Sequence, residues 1–98
     1  MLYLIVYDIS DNRIRHKVAK RLLAEGFERI QLSVFLGLFN PRRKDALWEQ
    51  LNAWISEEKG AKFYVLPITK KSFKSMDVIG DLDVDIDYLA GDKHTLFV

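Results

Sequence analysis

The sequence predicts an α+β fold in which two helices lie on one face of an antiparallel sheet, and three observations carry that prediction. Leu2 to Tyr7 is an almost unbroken apolar run of strand length. Ile14, Val18 and Leu22 then recur at helical spacing. From Phe27 to Phe39 the chain switches to an alternation of period two, the signature of a sheet with two unlike faces.

The first strand ends in Asp8, and the chain passes at once into a basic helix. Nothing between Leu2 and Tyr7 needs water, so Asp8 is a carboxylate set where a buried strand meets a helix entry. Such a position suits a charge that holds a metal or a substrate. The alternative is a loop brace or cap, but Ser10, Asp11 and Asn12 already offer N-cap side chains without Asp8.

Asp11 or Asn12 should cap the first helix, which runs to Glu25 and stops at Gly26. Ile14, Val18, Leu22 and Glu25 share one side, with Ala19 and Leu23 widening the apolar arc. Arg13, Lys17, Lys20 and Arg21 gather opposite. Arg15 is the exception, about 100° from Ile14 and inside the apolar arc. It must either lay its stem on the core with its head at the rim or meet a phosphate or carboxylate.

In the alternating stretch Ile30, Leu32, Val34, Leu36 and Leu38 take one face. Arg29, Gln31, Ser33, Phe35, Gly37 and Phe39 take the other. Its length exceeds a usual strand of about 5 or 6 residues, so a break is expected near Gln31 to Ser33. Arg29 and Phe35 stand on the more polar face. There Arg29 could bind phosphate, and Phe35 could wedge against a neighbour or pack against a partner subunit.

Asn40-Pro41 should open a second helix, closed by Gly60, with Leu47, Leu51, Trp54 and Ile55 as its buried stripe. Arg42, Arg43 and Lys44 would then occupy its first turn, where cations oppose the helix dipole and an anionic partner would relieve them. Ala61 to Ile68 is a further strand, and Pro67 marks an edge or a bulge. Beyond Thr69-Lys70-Lys71 the pattern weakens into a connection. Asp81 to Asp87 alternates acid with aliphatic, but Ile86 and Asp92 stand where a calcium loop needs glycine and glutamate, so a tail strand with one acidic side is expected. Thr95 to Val98 is apolar and suits pairing with a sheet edge, a neighbouring protomer's included.

Strand, helix, strand pair, helix, strand is the ferredoxin-like βαββαβ order. RNA-recognition domains share it, yet neither Val34-Phe35-Leu36-Gly37 nor Phe63-Tyr64-Val65 carries their basic-glycine-aromatic signature.

Composition bounds the function. A chain of 98 residues makes one domain, with a core over 1–78 and an acidic tail and terminal strand over 79–98. Folding at this size buries only about 60 to 65% of the unfolded surface, so a dimer would help it. With 49% hydrophobic and 12% aromatic residues a packed core is expected rather than disorder. The absence of cysteine excludes disulfides and thiolate metal sites and points to the cytoplasm, and His16 and His94 are too isolated for a zinc cluster. The apolar start is too short for a membrane span and lacks a signal-peptide pattern, so no membrane partner is expected.

The net charge of +1 hides two opposite segments. From Ile9 to Lys44, nine bases (Arg13, Arg15, Lys17, Lys20, Arg21, Arg29, Arg42, Arg43, Lys44) face Asp11, Glu25 and Glu28. From Asp77 to Asp92 there are six aspartates and no base. The first could meet phosphates and the second a basic partner.

Tyr7-Asp8-Ile9-Ser10-Asp11, Arg15-His16-Lys17-Val18-Ala19, Gly26 to Gly37 and the terminal Thr95-Leu96-Phe97-Val98 resemble the small CRISPR-associated adaptation endonuclease family, Cas-two, over essentially the whole chain. A strand ending in Tyr-Asp-Ile-Ser followed at this spacing by Arg-Ile-Gln-Leu-Ser-Val-Phe is specific in combination. The resemblance implies a ferredoxin-like homodimer whose C-terminal strand joins the other protomer's sheet, in complex with the CRISPR integrase during spacer capture. It implies an endonuclease acting on single-stranded RNA or double-stranded DNA with Mg²⁺ or Mn²⁺. On its motifs Asp8 would be the metal ligand, Arg15, Lys17 and Arg29 the basic residues around it, and Phe35 a residue lining the cleft. Lys17 stands where the family often has arginine and loses bidentate phosphate geometry. A non-catalytic dimeric scaffold bridging DNA and integrase subunits fits the same residues.

A lone carboxylate per chain is a poor magnesium site, and a two-fold axis would supply a second Asp8.

Overall fold

The computed structural model describes residues 1–81 and Tyr88. Strand β1 (Leu2–Asp8) leads into helix α1 (Asn12–Ala24), strands β2 (Glu28–Gln31) and β3 (Val34–Gly37), helix α2 (Asp45–Ile55), strand β4 (Lys62–Ile68) and a short helix α3 (Lys70–Lys74). The sheet order is β2-β3-β1-β4 with every neighbouring pair antiparallel. Helices α1 and α2 therefore each cross over one intervening strand, which is the ferredoxin-like arrangement expected from the element order.

β1 is apolar because side chains of both its faces enter a core, although Leu4 and Val6 on the second face stay part-exposed. Ile5 and Tyr7 look toward α1 and α2 and join Ile14, Val18, Leu22, Phe27, Phe35, Leu47 and Leu51 in the main core. Leu2 and Leu4 look the other way, where Leu2 meets Leu36 and Phe73 in a second, smaller cluster with Ile30 and Ile68 at its margin. Pro67 sits in β4, at the sheet edge, where its missing N–H costs no ladder bond to a further strand. β4 also leaves Tyr64 and Leu66 more than half exposed.

Helix α1 begins and ends by local chemistry. Asp11 accepts the Ile14 N–H at 3.0 Å as N-cap. At the other end Gly26 takes φ +94°, its N–H donates to Leu23 O at 3.1 Å, and Phe27 N–H donates to Leu22 O at 3.1 Å. That pair of bonds is a Schellman motif, with buried Phe27 and Leu22 as its apolar contact. Leu23, expected to widen the apolar arc, is instead 50% exposed because the arc closes at Ala19 and Leu22.

Three further expectations are corrected. Asn40-Pro41 opens a 3₁₀ turn over Pro41–Arg43, because Arg43 and Lys44 N–H bond three residues back to Asn40 and Pro41. Lys44 then turns extended, and α2 starts afresh at Asp45, so Arg42, Arg43 and Lys44 precede α2 rather than fill its first turn. Nor does Gly60 close the helix. α2 stops at Ile55, since Ser56 to Gly60 offers no apolar side chain for the core, and the chain leaves in successive turns. Finally, the segment after Lys71, read as a connection, begins as the end of a helix over Lys70–Lys74, with the Thr69 hydroxyl accepting the Ser72 N–H at 3.0 Å and Phe73 buried.

The β2–β3 break falls at Leu32-Ser33, within the span expected. The acidic alternation from residue 82 onward and the terminal strand Thr95 to Val98 lie outside the described residues. Among the described residues no helix is long and apolar enough to cross a membrane.

Candidate active site at the end of strand β1

Asp8 is exposed between two buried neighbours, Tyr7 and Ile9, each 3% exposed. Their burial fixes the backbone on both sides of it, so the carboxylate stands on a rigid strand end and faces solvent. Lys62 is its cross-strand partner in register, yet Lys62 Nζ donates to Gly60 O at 3.3 Å. Among the described residues none forms a hydrogen bond or ion pair with the Asp8 side chain.

The five residues singled out in the sequence separate into three places. Arg15 joins Asp8 at the β1–α1 loop, but its guanidinium turns to the backbone. Nη1 donates to Ile9 O at 3.1 Å and to Ser10 O at 3.5 Å, and Nη2 donates to the Asn12 side chain. The half-buried stem with a head at the rim is thus the arrangement adopted. Lys17 lies further along α1 with Nζ 5.8 Å from the Trp54 ring centroid, a cation–π contact to α2.

Arg29 and Phe35 form the third place, around the β2–β3 turn. Arg29 Nη2 and Nε donate to Leu32 O at 2.7 and 3.3 Å, and the Tyr7 hydroxyl donates to the same oxygen at 3.3 Å. Phe35 is 0% exposed in the helix-side core. The cleft-lining and partner-facing readings of Phe35 are both corrected by this burial. Alternation separates the two faces of a strand but does not say which one the helices will cover.

Tyr7 links the first and third of these places. Burial pushes its phenol above the usual tyrosine pKa, while the Arg29 and Arg15 guanidinium groups pull it back in part. Its ring stacks with Phe35 and Phe63 at 6.1 Å between centroids.

One carboxylate that the sequence did not single out, Glu58, supports this site, and a second, Glu25, pairs with bases at the far end of α1. Glu58, in the turns after α2, accepts the N–H groups of Ser10 and Asp11. Glu25 accepts from Lys44 and from Arg21 Nε at 3.1 Å, and the Lys44 ammonium in particular holds its carboxyl below the usual range.

Among the described residues a metal centre is incomplete in a single copy. Among the described residues no three His, Cys, Asp or Glu side chains cluster. A single free carboxylate does fit a hard cation of the Mg²⁺ type, which keeps several waters and takes its other ligands from substrate phosphates.

Residues 1–76 match the family model described as CRISPR associated protein Cas2. The CRISPR-associated endoribonuclease Cas2 1 of Archaeoglobus fulgidus is 33% identical over 88% of this chain and 90% of its own length. The CRISPR-associated endoribonuclease Cas2 2 of Pyrobaculum aerophilum is 35% identical over 82% of this chain and 87% of its own. The crystal structure of Streptococcus pyogenes Cas2 superimposes with a TM-score of 0.66 at 24% identity, covering 82% of this chain and all of that one, and supports the fold.

Proposed function

Because the chain belongs to the CRISPR-associated Cas2 family, we propose that it is an endonuclease that hydrolyses phosphodiester bonds in single-stranded RNA, with Asp8 as its essential carboxylate. The observation that carries this reading is the Asp8 side chain itself, exposed, unpaired among the described residues and fixed by buried Tyr7 and Ile9. RNA is favoured over duplex DNA because the matched relatives are named endoribonucleases.

The active unit is a homodimer. The exposed Tyr64 and Leu66 on edge strand β4 give a second copy an apolar surface to cover, and the apolar Thr95 to Val98 gives it a strand to add. A two-fold axis then brings two Asp8 carboxylates to one site, enough for Mg²⁺ or Mn²⁺ with water and substrate phosphates completing the shell. A cation held there would polarise the scissile phosphate and raise the acidity of the attacking water. The protein's own share is placement: Asp8 presents charge at a fixed point, Arg15 holds the loop beside it, and Arg29 sets the β2–β3 turn. Within CRISPR adaptation in the cytoplasm, the dimer would also join the CRISPR integrase.

A specific observation favours a second reading, a non-catalytic dimer that bridges nucleic acid and integrase. Arg15, Arg29 and Phe35 are all engaged in holding the fold, which leaves few groups for chemistry.

Cleavage of labelled RNA and duplex DNA by wild type and Asp8→Asn, with Mg²⁺, Mn²⁺ or chelator, separates the two. Metal-dependent cleavage lost in Asp8→Asn, with fold and nucleic-acid binding kept, supports the nuclease. Undiminished cleavage in Asp8→Asn, or none in pure wild type, leaves the bridge.

A further inference from the structure

The β1–α1 loop is held from both sides by opposite charges. Glu58 accepts the Ser10 N–H through Oε2 at 3.0 Å and the Asp11 N–H through Oε1 at 2.6 Å. From the other side Arg15 donates to the carbonyls of Ile9 and Ser10. We propose that Glu58 is a positioning residue for Asp8, a clamp on the loop amides that fixes where the strand end presents its carboxylate; this rests on the nuclease reading given above.

Helix capping does not explain the contact. Asp11 already caps α1 through the Ile14 N–H, whereas Glu58 takes the amides of the N-cap residue and the residue before it, outside the helix. Water could satisfy both amides at this rim. A carboxylate that accepts two consecutive N–H groups with its two oxygens instead resists rotation as well as displacement, which one contact does not. The Ser10 residue shows the effect most directly, with its N–H bound to Glu58 and its C=O to Arg15.

Glu58 is itself braced for this task. Its carbonyl accepts the Ala61 N–H at 3.2 Å and its N–H donates to Ile55 O at 3.1 Å, whereas the neighbouring Glu57 turns to Arg13 at 3.4 Å in an exposed pair that touches neither the loop amides nor Asp8. None of these contacts uses the Asp8 carboxylate, so the clamp locates that group without neutralising it. Misplacement of a reacting group by about 1 Å can cost on the order of 10²-fold in rate.

The test compares Glu58→Gln with wild type, Asp8→Asn and Glu57→Gln. Glutamine keeps the shape of Glu58 but has one acceptor oxygen for two amides. In Glu58→Gln kcat on RNA should fall about tenfold or more with KM within about twofold. The Ser10 or Asp11 amide proton should shift upfield in NMR spectra, and the melting temperature should change little. Glu57→Gln should keep wild-type activity. A kcat within twofold of wild type in Glu58→Gln while Asp8→Asn is inactive overturns the role of Glu58 alone. A fall in kcat fully accounted for by the unfolded fraction at the assay temperature overturns it too. Full activity in Asp8→Asn removes the nuclease reading, and the positioning role with it.

Discussion

The Arg29 guanidinium lies 5.3 Å from the centroid of the Phe35 ring, and the ring beneath it is wholly buried. Two residues with an expected place in a substrate cleft thus engage each other at the β2–β3 turn, the arginine as cover and the aromatic as core. Phe35→Ala should therefore cost about 3–5 kcal/mol of stability, a large part of a small domain's about 5–15 kcal/mol. Denaturant unfolding measures it. Any loss of activity in that variant should follow the folded fraction, and a fully stable but inactive Phe35→Ala would return the residue to the substrate.

Tyr7 gives a pH signature. Its phenol pKa is raised in the folded state, chiefly by burial, so the neutral form is favoured there. The associated stability is complete below the unfolded tyrosine pKa of about 10 and is lost as pH rises through the higher folded value. Tyr7→Phe keeps the ring and removes the hydroxyl bond to Leu32, which should cost about 0.5–1.5 kcal/mol at neutral pH. The difference between the two proteins should narrow above pH ~10. Denaturant midpoints from pH 7 to 11 test this, and a constant difference would contradict it.

Gly37 meets a steric limit. A Cβ at this position would lie 2.3 Å from the Phe27 ring carbons Cδ2 and Cε2, and that ring is itself locked edge-on against Phe39 at 4.9 Å. Gly37→Ala should destabilise by about 1–3 kcal/mol as overpacking forces the ring aside. Phe27→Leu in the same background should recover part of the loss, read from thermal melts.

Arg42 and Arg43 stand exposed in the 3₁₀ turn. If they meet phosphates, replacing both with glutamate should weaken nucleic-acid binding regardless of sequence and flatten the salt dependence of affinity by roughly one unit per lost contact. Lys44 is left out of the pair because it bonds Glu25 and its loss would disturb the end of α1. Unchanged affinity and slope would assign the contact surface elsewhere.

What the sequence disclosed and what it withheld follow from range. The caps of α1 at Asp11 and Gly26, the carboxylate at the end of β1 and the strand pair around Leu32-Ser33 are set by neighbours in the chain, so their chemistry is legible locally. Helix α3 spans only Lys70–Lys74 with Phe73 as its buried residue, too short for a period to show. The side taken by Phe35 depended on which face of the sheet the helices would cover. Glu58 meets Ser10 and Asp11 across 48 and 47 residues, a relation that no spacing rule encodes. For the same reason Arg15 could be recognised as misplaced in an apolar arc while its partners, two backbone carbonyls, could not be named.

β1 precedes both of the strands it pairs with. Its hydrogen-bonding neighbours are Val34–Gly37 and Lys62–Ile68, so during synthesis its second edge has no partner until the chain has been made through Ile68. During that interval Leu2 to Tyr7 is an apolar segment with an unpaired edge, open to pairing with any other extended chain. Asp8 and the charged helix behind it stand at the boundary of that strand as a gatekeeper. For the residue proposed as the essential carboxylate, Asp8→Asn should therefore be examined for yield of soluble protein as well as for rate.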